Sequence, residues 1–126
     1  MVKYLWDNLF KIDHEEKLIF NLLQDCYLFE KLSLPELNFL QKVVHIRSYR
    51  PGEHIFREGE VGVGMYIIIS GQINISVNKI NKNETTENHV ITKLTAGDFF
   101  GETALLSESP RTATVRAHGG PLEVVE

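Results

Sequence analysis

Residues 97–117 read Gly-Asp-Phe-Phe-Gly-Glu-Thr-Ala-Leu-Leu-Ser-Glu-Ser-Pro-Arg-Thr-Ala-Thr-Val-Arg-Ala and combine three features that suit one phosphate. Gly101 has no Cβ, so the backbone there can come close to a ligand. Glu102-Thr103-Ala104-Leu105-Leu106 reads as a short helical turn whose first N–H groups lack an intrahelical acceptor and sit at the positive end of a helix dipole. Arg111 supplies a planar, permanently charged fork that can grip two oxygens, and Pro110 stiffens the loop that presents it. Glu102 is the odd member, because a carboxylate beside a phosphate is repelled unless it accepts a hydrogen bond from another group; a sugar hydroxyl fits that role.

The run Phe100-Gly101-Glu102-Thr103-Ala104-Leu105-Leu106, followed by Pro110-Arg111-Thr112-Ala113-Thr114-Val115, resembles the phosphate-binding cassette of cyclic nucleotide-binding domains. These domains occur in cyclic-nucleotide-dependent kinases, bacterial catabolite-activator regulators and cyclic-nucleotide-gated channels. The resemblance extends upstream through Pro51-Gly52-Glu53, Phe56-Arg57-Glu58-Gly59-Glu60 and Met65 to Gly71, and covers roughly residues 28 to 118. It implies that Gly101, Thr103 and Ala104 offer backbone contacts to the cyclic phosphate, that Glu102 accepts the ribose 2′-hydroxyl, and that Arg111 pairs with the exocyclic phosphate oxygens. Thr112, directly after the arginine, matches a hydroxyl found in members that accept cyclic GMP and in several bacterial cyclic-AMP receptors. The implied ligand is thus cAMP or cGMP, with cAMP favoured.

Composition bounds the reading. A chain of 126 residues with 43% hydrophobic residues suffices for one compact domain and is too short for two. Thirteen basic against seventeen acidic residues, net −4, with no basic stripe, argue against a nucleic acid partner. Cys26 is the only cysteine, which excludes an internal disulfide and fits a reducing compartment, so a cytoplasmic location is expected. No apolar run approaches the roughly 20 residues of a membrane span, and residues 1–7 lack the apolar core of a signal peptide.

Upstream of the cassette, residues 13 to 25 read as a helix with Asp13 as cap, Glu16 three later, and Leu18, Ile19, Leu22 and Leu23 on one face. A second helix follows, with Ser33 as cap, Pro35 in its first turn, Glu36 completing a capping box, and Leu37, Leu40 and Val44 at helical spacing. Then the period changes. Val43 to Tyr49, Met65 to Ile69 and Val90 to Leu94 are β-rich runs between Gly, Pro and Asn signals. Gln72 to Asn78 alternates strictly, predicting a strand with one buried and one wet face. Asn78 to Asn88 has no periodicity and reads as a mobile hairpin loop. The pattern predicts a mainly β fold with flanking α-helices: an antiparallel β-roll or jelly roll over about 43–126, preceded by N-terminal helices over about 1–42, in a single domain. The resemblance implies the same fold, followed by C-terminal lid helices that are missing here. Leu122 to Val125 is then expected as a short, frayed closing strand, and ligand exchange as fast and weak.

Simpler readings stand beside these. Gly101-Glu102 is also what a plain turn into a capped helix looks like, and Arg111 could pair on the surface with Glu108 or Asp98. Phe99 and Phe100 read as core rather than as base-stacking groups, since neighbouring residues in a strand point to opposite faces. The five histidines are scattered without metal-ligand spacing, no Gly-Lys-Ser/Thr phosphate loop is present, and Ser70-Gly71 lacks a nucleophile elbow. No catalytic or metal-binding set and no cofactor is therefore expected. The expected function is a regulatory module, not an enzyme, that takes up a purine 3′,5′-cyclic nucleotide and couples occupancy to movement of the helices. An effector domain or protein partner would engage through those helices. The alternative is a nucleotide-free structural or protein-interaction module with the same fold, against which the pairing of Glu102 with Arg111 argues.

Overall fold

The computed structural model describes residues 2–126, which form two compact units dividing between Val44 and His45. In the first unit, helix α1 (Val2–Asp25) leads through a 3₁₀ turn (Tyr27–Phe29) into helix α2 (Leu34–Val43). Ser33 caps α2 as its sequence predicts: its hydroxyl accepts from the Glu36 N–H, and the Glu36 carboxylate accepts from the Ser33 N–H. The two helices pack together, and the Gln41 side-chain amide donates to the Glu16 carbonyl at 3.2 Å. Helix α1 begins well before Asp13, which lies within the helix and pairs with Lys17 at 3.0 Å, one turn on. Residues 2–12 carry no breaker, so helix propagates through them and the capping-type acid has no end to cap. The β-run expected from Val43 starts only at Ile46, because the Val44 N–H is still drawn back to the Leu40 carbonyl at the end of α2.

The second unit is a roll of two antiparallel four-stranded sheets. Its strands are β1 (Ile46–Tyr49), β2 (His54–Phe56), β3 (Tyr66–Ser70), β4 (Gln72–Ile80), β5 (Thr86–Thr95), β6 (Phe99–Phe100), β7 (Thr114–Ala117) and β8 (Leu122–Val125). One sheet has the order β1-β8-β3-β6 and the other β2-β7-β4-β5. The core lies between the inner faces: Tyr66, Ile68, Phe100, Leu122 and Val124 come from the first sheet, and Phe56, Ile73, Val115 and Ala117 from the second.

Three sequence expectations change here. Strand β4 alternates only as far as Ile75. A bulge between Ile75 and Ser76 shifts the register against β5, so Ser76, which strict alternation would leave in water, is buried. The loop expected at Asn78–Asn88 is mostly strand, since β4 and β5 stay paired to Ile80↔Thr86 and leave only Asn81–Thr85. Both faces of that hairpin arm are wet, so it carries no apolar period, and the Asn81 carboxamide oxygen closes the turn by accepting from the Asn83 and Thr85 N–H groups. Third, β8 is not frayed. It lies between β1 and β3, with Leu122 and Val124 fully buried. The Gly119-Gly120-Pro121 turn delivers the strand into the sheet instead of loosening it.

Truncating Leu122 should therefore act as a core deletion: Leu122→Ala is expected to cost about 2–5 kcal/mol in urea unfolding followed by far-ultraviolet circular dichroism. A cost of a few tenths would mean that β8 is loose after all.

Candidate functional site

The site forms where the sheets are joined by loops. Strand β6 ends at Phe100, and Gly101 turns the chain through φ 77°, the left-handed region that glycine enters without strain, into a 3₁₀ turn, Glu102–Leu105. The helical turn expected at Glu102 is thus present, in its tighter form. The N–H groups at its start have no partner within the turn, whereas the Ala104 N–H donates to the Gly101 carbonyl at 3.3 Å.

Arg111 lies ten residues beyond Gly101. Its backbone is zipped to the loop after β2: the Arg111 N–H donates to the Glu60 carbonyl at 2.7 Å, and the Gly59 N–H donates to the Arg111 carbonyl at 2.8 Å. The residue is 7% exposed. Nη1 donates to the Gly101 carbonyl at 3.1 Å and Nη2 to the Gly64 carbonyl at 2.8 Å, while the Phe56 ring lies under the guanidinium carbon at 4.1 Å. Nε has no acceptor. Among the described residues no carboxylate is within ion-pair distance of Arg111, so the surface pairing with Glu108 or Asp98 does not form. Glu108 is exposed, and Asp98 instead accepts from the Thr95 N–H at 3.0 Å and closes its own turn.

A cavity of about 230 Å³ opens against this group. Glu102, Thr103, Arg111 and Thr112 form its polar side, and Ile75, Leu94, Phe99 and Val115 its apolar side. Of the residues singled out in the sequence, Gly101, Glu102, Thr103, Arg111 and Thr112 come together on this one cavity. Ala104 does not; it lines a separate hollow with Val61, Val63, Leu105 and Leu106. The Glu102 carboxylate is half-buried and accepts no hydrogen bond among the described residues. Phe100 is core, as expected, and stacks on Tyr66 at 5.0 Å between centroids, while Phe99 also reaches the cavity wall. Burial among these rings pushes the Tyr66 phenol up to about 12, so it stays protonated.

Sequence reasoning missed Phe56, Gly64, Ile75 and Leu94 as site residues. Phe56 had a signal, an aromatic at the end of a strand just before a glycine-rich loop. The others had none, since the Gly64 contribution is a backbone carbonyl and Ile75 and Leu94 meet the cavity only through the pairing of β4 with β5.

The arrangement sets a buried guanidinium, backbone donors and an acid on one side of the cavity and apolar surface on the other. Residues 46–126 match the family described as the cyclic nucleotide-binding domain, and the chain belongs to that family. It is 39% identical over 97 residues to a cAMP-dependent protein kinase regulatory subunit of Mycosarcoma maydis, an alignment covering 77% of this chain and 18% of that protein. It is 34% identical over 107 residues to a cGMP-dependent protein kinase of Caenorhabditis elegans, covering 85% and 13%. Among solved structures, the regulatory domain of Toxoplasma gondii PKA with cAMP superposes with a TM-score of 0.78 at 28% identity, covering 89% of this chain and 41% of that one. The chain thus spans less than a quarter of the length of these curated relatives.

Contact between Phe56 and Arg111 should be measurable without any ligand. A double-mutant cycle of Phe56→Leu and Arg111→Ala, read by equilibrium unfolding, is expected to give a coupling of about 0.5–2 kcal/mol. Additive losses would reduce the ring to filler.

Proposed function

We propose that the domain is a regulatory binding module for a purine 3′,5′-cyclic nucleotide, cAMP ahead of cGMP, with no catalytic chemistry of its own. The observation that carries this reading is Arg111, a buried cation with a donor unused and, among the described residues, no carboxylate within ion-pair distance, on the wall of a cavity that also exposes the start of a 3₁₀ turn. Such a group lacks one thing, an anion. A singly charged cyclic phosphate supplies it and presents several acceptor oxygens to the donors gathered there. Glu102 then takes the ribose 2′-hydroxyl, which gives its half-buried carboxylate the hydrogen bond it lacks. The apolar wall of Ile75, Leu94 and Phe99 receives the less polar part of the ligand, with Thr112 at the rim offering a hydroxyl to the base. The relatives include kinases of both nucleotide types, and the Thr112 hydroxyl fits members that take either, so the order of the two ligands is read from titration with both.

Occupancy would be transmitted by favouring one of two arrangements of the helical unit, to the extent that the nucleotide binds them with different affinity. An effector domain or partner protein responding to α1 and α2 completes this reading. A cytoplasmic setting goes with it, since Cys26 is a free thiol.

Titration with fluorescent cAMP and cGMP analogues tests the proposal, and absence of saturable binding at millimolar ligand would favour an interaction module that has kept the fold. In the same assay Arg111→Ala is expected to lose about 2–5 kcal/mol, at least about thirtyfold in affinity, with Arg111→Lys recovering only part. Binding within a factor of about two of the parent, some 0.4 kcal/mol, would take Arg111 out of the site.

Glu102 should read the sugar. A 2′-deoxy cyclic nucleotide is expected to bind about 1–3 kcal/mol more weakly than its ribose counterpart, and Glu102→Ala should erase that difference. Equal binding of the two ligands by the parent chain would turn Glu102 away from the ribose.

A further inference from the structure

Most of the glycines in the roll have a conformational reason to be glycine; Gly62 has another. Gly52, Gly59, Gly71, Gly97, Gly101 and Gly119 all adopt positive φ, whereas Gly62 does not. Any residue could take its backbone conformation. What a side chain meets there is Arg111: a Cβ on Gly62 would overlap Nε and Cζ and come within 2.5 Å of Nη2. The guanidinium therefore lies directly against the bare Cα of Gly62, in space that the smallest side chain would fill. Gly62 is not on the wall of the ligand cavity.

We infer that Gly62 is a positioning residue, whose missing side chain sets where the Arg111 guanidinium lies and so how well the cavity grips a cyclic phosphate. The rest of the cradle sets the direction in which the arginine can yield. Phe56 covers one face, the Gly64 and Gly101 carbonyls hold Nη2 and Nη1, and a Cβ on Gly101 would itself come to 3.1 Å of Nη1. A methyl at position 62 pushes on the Nε side, where no hydrogen bond resists, and the guanidinium swings out of register with the 3₁₀ turn. The clash falls on the end of a flexible side chain and not on backbone, so the fold survives and the arginine is what moves.

The effect on affinity rests on the cyclic nucleotide reading above; the displacement of Arg111 does not, and the two are read separately. For the displacement, the Arg111 Nε–H signal in ¹⁵N–¹H spectra of the ligand-free protein, assigned by its loss in Arg111→Lys, is expected to shift in Gly62→Ala. It should stay put in Gly120→Ala, where a Cβ meets open space and φ is not positive. For affinity, Gly62→Ala should weaken cAMP at least about tenfold, roughly 1.4 kcal/mol. In an Arg111→Ala background the same change should cost nothing more. An unmoved Nε signal, or an affinity loss that persists without Arg111, overturns the inference. A parent chain that binds no nucleotide while Gly62→Ala still shifts the Nε signal would sink the functional reading and leave the positioning role standing. Should Gly62→Ala fail to fold, the double variant with Arg111→Ala must fold, since its clash partner is gone; failure of both would place the clash elsewhere and overturn the inference.

Discussion

A guanidinium buried with no carboxylate among the described residues to balance it is the constraint on which the roll's architecture turns. Taking a cation out of water costs several kcal/mol even after relaxation. Two carbonyl acceptors and an aromatic face offset part of this, the ring by about 0.5–2 kcal/mol. The arrangement is tolerable in a stable domain only if the acceptors are held in place by structure that would form anyway. That is the case here, since Gly101 follows β6 and Gly64 precedes β3, and these strands pair with each other. Both carbonyls therefore approach Arg111 from the same end of one strand pair.

The aromatic face comes from the other sheet. Phe56 ends β2, which pairs with β7, the strand that Arg111 leads into. Arg111 thus bridges the two sheets at the mouth of the core, where Phe56, Tyr66 and Phe100 form a cluster with centroids 5.0–6.1 Å apart. On the proposed reading, stability and binding share this spot. The same loop contacts that hold Arg111 in register, Gly59 and Glu60 with its backbone and Gly64 with its side chain, tie the loop between β2 and β3 to the segment before β7. On that proposed reading, a ligand anion arriving at the cavity would meet a cation already fixed in direction, so little ordering would remain to be done on binding.

How much of this was legible beforehand depended on the range of each interaction. The capping box at Ser33 and Glu36, the turn at Gly101 and the strands around Ile67 and Ile73 are written in neighbours a few residues apart, and local chemistry was enough to read them. Resemblance in residues 100–115 marked Glu102, Thr103, Arg111 and Thr112, and these share one cavity. Ends and interruptions were read less well. Asp13 has the chemistry of a cap but no helix end to serve, and the β4–β5 arm has no apolar period because water covers both its faces.

By itself, the sequence determined the fold class and the presence of an arginine, an acid and a glycine turn in one short segment, because those depend on residue type and spacing along the chain. Only the tertiary structure decided what becomes of the arginine. Its neighbours Phe56, Gly62 and Gly64 lie about fifty residues away, and two of them act through what a side chain would not reveal, a backbone carbonyl and an empty space. Burial of β8 was decided in the same way, since Leu122 and Val124 become core only once β1 and β3 flank them. Non-local pairing leaves no period in the chain, and so it could be read only after the sheets had formed.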